Sequence, residues 1–211
     1  MTAVVLRTGC LLIGCLTVTA ASAAAQDTRP AEVIDRVAAR VNGLLILLSD
    51  VRAAAALGII EPGAEADQIG EMIKRQLLVS EIARFPPQEP PAAAVEAEVA
   101  RMRARLPDPA VLRRDYGLAP GQIEALARET LRINAYLAQR FGAEVPISDE
   151  QAREYYKTHP DEFTRDGALA PFEAVQPEAR ERAAAAGRRD AVAQWVTELQ
   201  GRADIVVPGK R

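Results

Sequence analysis

The segment from Val33 to Asp50, VIDRVAARVNGLLILLSD, constrains the fold of this chain more than any other. Asn42-Gly43 sits between two apolar runs and tolerates the positive φ that a two-residue hairpin turn demands, so the segment predicts two short strands. Ser49-Asp50 then offers side-chain oxygens to the first amides of a following helix. A two-stranded hairpin is marginal alone in water, so another element has to pair with it or cover it. The other clear β-branched run, Ala203 to Val207, lies at the far end of the chain and stops at Pro208-Gly209. Pairing between that run and the hairpin predicts a mostly helical protein whose N-terminal hairpin and C-terminal strand close one small sheet.

The helices announce themselves by spacing. Val51 to Leu57 predicts a short helix stopped near Gly58, and Glu65 to Arg84 a longer one, with Ile69, Met72, Ile73 and Leu77 at helical intervals. Phe85-Pro86-Pro87-Gln88-Glu89-Pro90-Pro91 cannot continue it, because proline lacks the amide and pushes its predecessor toward extended backbone. It reads as a stiff connection after which the chain folds back. Helical spacing resumes from Ala92 to Leu106, a short helix covers Ala110 to Asp115, and Pro120 opens the clearest helix, with Ile123, Leu126, Thr130, Ile133, Leu137 and Phe141 on one stripe. Ser148-Asp149-Glu150-Gln151 is a capping box, and its helix has to end near His159-Pro160. Ala168 to Gln176 reads as loop, and Pro177 as the first residue of an alanine- and arginine-rich helix to about Gln200.

Residues 1–25 read as a signal peptide rather than part of the fold. Arg7 supplies a positive start, Cys10 to Ala21 a short apolar run, and Ala21-Ser22-Ala23 or Ala23-Ala24-Ala25 a small-x-small cleavage site. Leu12-Ile13-Gly14-Cys15 also resembles a lipobox, which would tether the protein to a membrane through Cys15. The apolar run continues past Cys15 through Leu16 and Val18, which favours simple cleavage near Ala25 and a periplasmic location. Cys10 and Cys15 are the only cysteines, so the processed chain 26–211 has no disulfide, thiolate ligand or cysteine nucleophile. Loss of Arg7 leaves 25 basic against 29 acidic residues, a mildly acidic mixture without the clustered charge that nucleic acid requires.

Chemistry finds little purchase. His159 is the single histidine and reads as a surface residue at a helix end, since a lone imidazole needs a partner to act as a base. Asp149-Glu150 and Asp161-Glu162 are adjacent pairs that do not face each other on a helix, and capping or the helix dipole accounts for both. There is no Walker motif and no strand-linked GxGxxG, so neither nucleotide nor another cofactor is expected. Tyr155, Tyr156 and Trp195 read as packing residues. The expectation is a protein that is not an enzyme and whose wide apolar helix faces either bury one another or leave a groove for polypeptide.

In this order, the pieces resemble the chaperone core of the SurA family of periplasmic proteins. A first block, 33–163, contains VIDRVAARVNG, LLSDV, IKRQLLVSEIAR, the helices through Val95–Leu106 and Ile123–Phe141, and VPISDEQAREYYKTHPDEF. A second block, 171–207, runs from PFEAVQPEARER to AVAQWVTELQGRADIVV. Many members of that family carry a parvulin-type peptidyl-prolyl isomerase domain between such blocks, whereas here only Thr164 to Ala170 separates them. The resemblance implies the chaperone core without the enzyme, taking unfolded or nascent envelope polypeptides as partners without nucleotide. It assigns no individual peptide-binding residue, because the family binds through distributed apolar surface.

Overall fold

Asn42 and Gly43 both adopt positive φ, 49° and 86°, in a computed structural model that describes residues 35–106, 108–142 and 147–209. Their turn joins β1 (Val37–Val41) to β2 (Leu44–Leu47). There follow α1 (Leu48–Ala56), α2 (Glu65–Arg84), α3 (Ala92–Ala104), α4 (Pro109–Tyr116), α5 (Pro120–Phe141) and α6 (Asp149–Thr158). A 3₁₀ turn (Pro160–Phe163) leads into β3 (Thr164–Arg165) and β4 (Ala168–Leu169), and the chain ends with α7 (Phe172–Arg202) and β5 (Ile205–Val206). The protein is mostly helical with one small terminal sheet. The expected signal segment and both cysteines lie outside the described residues.

The sheet has the order β2-β1-β5, antiparallel throughout. Val41 opposes Leu44 on one side and Ile205 on the other. A register shift between Val37 and Ala39 inserts a bulge at Ala38, which turns two successive side chains, Ala38 and Ala39, into the core. Asn42 does more than turn the chain. Its amide donates to the Asp204 carbonyl at 2.8 Å and its Oδ1 accepts from the Asp204 amide at 3.0 Å, so the hairpin tip holds the residue that leads into β5.

Ser49 and Asp50 both lie inside the first turn of α1, where Asp50 offers its side-chain oxygen to a helix-start amide as expected and Ser49 does not. The N-cap is Leu47, whose amide donates to Asp50 Oδ2 at 3.1 Å. Two first-turn amides are met from upstream: Leu48 donates to the Arg36 carbonyl at 2.8 Å and Ser49 to Asp35 Oδ1 at 3.3 Å. The Ser49 hydroxyl donates to the other Asp35 oxygen. A carboxylate fourteen residues upstream therefore supplies the cap and locks the entry of β1 to the exit of β2.

Pro177 lies inside α7 instead of opening it. Helix begins at Phe172, and Asp166-Gly167, with φ of 52° and 81°, makes a second tight hairpin of β3 and β4 where loop was expected. An interior proline forfeits one helical hydrogen bond. Phe172, Val175 and Ala179 offset it by burying one helical stripe against Ala152 and Phe163. The expected spans of α2, α5 and α6 agree with the structure, as does the capping box: Ser148 Oγ accepts from the Gln151 amide at 3.2 Å and Gln151 Oε1 from the Ser148 amide at 2.9 Å.

Three apolar clusters hold the fold. The central one joins the sheet, α1, α2, α5 and α7 through Val41, Ile46, Val51, Leu77, Ile133 and Trp195. A second joins α1, α3 and α5 through Leu57, Val95, Met102, Ile123 and Ala127, so the chain does fold back after its proline-rich connection. Glu89 in that connection pairs with Arg128 of α5 at 3.1 Å. The third joins α6, the 3₁₀ turn and the start of α7. No described helix is long and apolar enough to cross a membrane.

Two predictions follow from the sheet and its cap. Asn42→Gly keeps the turn but removes the acceptor for Asp204, and should lower unfolding free energy by about 0.5–1.5 kcal/mol in urea titrations; Asn42→Val, forced to positive φ, should lose about 1–2 kcal/mol more. The Asp35 carboxyl is held below its usual value near 3.8, chiefly by the Ser49 hydroxyl. A depressed carboxylate stabilises above its unfolded pKa and loses that contribution as pH falls through its folded one. Asp35→Asn should therefore melt below the parent at about pH 7, with the gap narrowing as pH falls below the ordinary carboxylate range.

Candidate functional site

Three helices each turn one stripe toward a common cleft. From α2 come Glu71, Lys74, Arg75 and Leu78; from α5, Thr130, Ile133, Asn134, Leu137, Ala138 and Phe141; from α7, Ala185, Arg188, Arg189, Val192, Ala193, Val196, Thr197 and Gln200. Every set steps by three or four residues, the repeat of one helix face. Ile59 and Ile60, just after α1, complete the wall. The space amounts to about 840 Å³, within the span of ordinary ligand sites.

Its floor is apolar and incompletely covered. Ile133 and Val196 are buried, but Leu78, Leu137, Phe141 and Val192 are only half-buried although all four pack on the central core. The cleft stays open because α7 faces it with Ala185, Ala193, Thr197 and Gln200, which are too small or too polar to fill the space. Close packing would need large apolar side chains at those positions.

Charge lies along the walls. Lys74 pairs with Glu71 at 2.7 Å. Arg75 reaches Glu129 at 2.8 Å and donates to Thr130 Oγ1 at 3.0 Å, and burial holds its guanidinium below the usual range with Glu129 opposing. Arg189 acts on the Tyr155 hydroxyl, whose pKa burial raises first and Glu162 second. Arg188 is half-buried and makes no ion pair among the described residues. Among the described residues four cations thus line the cleft against one carboxylate, Glu71, in a chain whose net charge is −3.

Arg75 also borders a second cavity of about 320 Å³ among β2, α1, α2 and α5, lined by Leu45, Met72, Val79, Leu118 and Leu126. Arg75 thus borders both spaces, while its partner Glu129 borders the second.

The residues weighed for chemistry lie elsewhere. His159 is exposed at the end of α6, its ring stacked on Tyr155 at 4.1 Å. Asp149 engages Arg180 and Gln176 of α7, and Glu162 accepts from Tyr155 and Arg182, so one carboxylate of each pair makes tertiary contacts beside the third cluster. Tyr156 packs against Phe163 and Phe172, and Trp195 against Tyr136 and Phe141. Among the described residues no group of acidic, histidine or cysteine side chains is placed to hold a metal. Comparison with protein-family models, with curated proteins and with solved structures finds no match.

The cleft residues escaped sequence reasoning because Leu137 and Phe141 share the stripe of buried Ile133, and alanines on α7 signal neither core nor site. Arg75→Ala should destabilise by about 1–3 kcal/mol, less than a fully buried pair because Glu129 can rehydrate. Arg75→Met, which keeps the packed stem without the charge, should recover most of that loss in the same denaturant titrations.

Proposed function

We propose that this protein is an ATP-independent periplasmic chaperone or folding factor that holds unfolded envelope polypeptides in the cleft between α2, α5 and α7. The observation that carries the reading is the half-buried apolar floor of Leu78, Leu137, Phe141 and Val192, which the other described residues leave incompletely covered. An apolar face kept open in this way suits an occupant that comes and goes. Binding the unfolded form of a client lowers its free concentration and so slows aggregation, without nucleotide or covalent chemistry.

The resemblance to the SurA family supports the same reading. On that resemblance the family's isomerase domain would fall between residues 163 and 171, where this chain has only a tight Asp166-Gly167 hairpin, so the proposal includes no isomerase activity. Export follows from the signal-like first 25 residues.

Light scattering of several unrelated unfolded outer-membrane proteins tests the proposal. The purified protein should suppress aggregation across the panel at near-stoichiometric ratios without nucleotide. Val192→Asn and Leu137→Ser, at half-buried positions, should weaken suppression while thermal unfolding remains cooperative. Activity against no client would overturn the general-holdase reading and point to a dedicated-partner scaffold of the cell envelope, and undiminished activity in both variants would place binding outside this cleft.

A further inference from the structure

The polarity of the walls narrows what the cleft accepts. We propose that its preferred occupant is a short apolar polypeptide segment carrying acidic side chains at its flanks; this inference rests on the chaperone reading and specifies its client. Lys74 stands on the α2 wall, one turn from Leu78, and Arg188 and Arg189 stand on the α7 wall, one turn from Val192. Cations therefore edge both sides of an apolar floor.

These cations are unequally satisfied. Arg75 is committed to Glu129 and Thr130, and Lys74 to Glu71. Arg189 faces the Tyr155 hydroxyl, which it shares with the Glu162 carboxylate, whereas Arg188 has no ion-pair partner among the described residues. A guanidinium without an ion-pair partner, on a half-buried residue beside an apolar floor, gains an electrostatic partner when a carboxylate arrives. The same field disfavours lysine- or arginine-flanked segments, which gives the cleft a basis for discrimination as well as attraction.

Length points to a polypeptide. The α7 stripe from Ala185 to Gln200 extends about 22 Å at the helical rise, enough for about six or seven residues of extended chain. The half-buried side chains Leu78, Leu137, Phe141 and Val192 come from all three helices, so contacts are spread across the cleft rather than gathered in one deep pocket.

Fluorescence anisotropy with the full purified protein and labelled peptides that share one apolar core, flanked by Glu, Gln or Lys, tests the proposal. Affinity should fall in that order, by about three- to tenfold between Glu and Lys flanks, and the spread should shrink in high salt. Arg188→Gln should narrow the difference between Glu and Gln peptides, and Arg188→Glu should reverse the preference toward Lys, each with an unchanged melting temperature. Equal binding of all three peptides, or an Arg188→Gln variant with the parent's preference, would overturn the charge selection while leaving the apolar cleft intact. Binding of none would overturn the cleft reading itself, and displacement of bound peptide by oleate at lower concentration than by unlabelled peptide would reassign the site to lipid.

Discussion

Everything else in this molecule depends on the attachment of its last strand to its first. Val41 opposes Ile205 and Arg40 opposes Val206, and Asn42 accepts from and donates to Asp204 immediately beside that pairing. β5 follows α7 after only two residues, so fixing the strand also fixes the end of a 31-residue helix. Trp195, Val196 and Leu199 are thereby delivered to the core shared with α2 and α5. A pairing across more than 160 positions carries a loop-closure penalty that grows only slowly with length, and burial of these three side chains can meet it.

α7 is the member that joins two separately built regions. Its first turns are buried with α6 and Phe163, its last turns with the sheet, and between them it crosses the cleft. Long α5 plays a similar part, contributing Ile123 and Ala127 to one cluster and Ile133 and Tyr136 to another. Both helices are held at their ends by bulky side chains. That arrangement permits small residues at the centre of α7 and, with them, a cleft that does not collapse. Arg75, paired with Glu129, borders both the cleft and its neighbour, a polar contact beside two largely apolar spaces.

Much of this was legible in the residues, for reasons that differ by element. Asn42-Gly43 identified the first hairpin because few other dipeptides accept two positive φ values, and the Ser148–Gln151 box located α6 because its hydrogen bonds are local. Asp166-Gly167 carries the same hairpin signal, but the flanking strands are two residues each, too short for an alternating pattern to mark them. Pro177 misled because its local cost is visible in sequence whereas the compensating burial of Phe172 and Val175 is not. Ser49 misled in the same way, since Asp35 reaches it only after the hairpin has folded.

The sequence by itself determined the helical class, the principal helices, the turn chemistry and the apolar run that closes the sheet, because each rests on spacing or on the conformational limits of one or two residues. Tertiary structure alone decided which parts of each apolar stripe are buried and which face an opening. Ile133 and Leu137 are indistinguishable as positions on a stripe, yet one is buried and the other half-buried at the cleft. The difference lies in what crosses over them: alanine, threonine and glutamine of α7 where larger apolar residues would have packed the cleft shut. Periodicity records which way a side chain points, and only the fold decides what it meets.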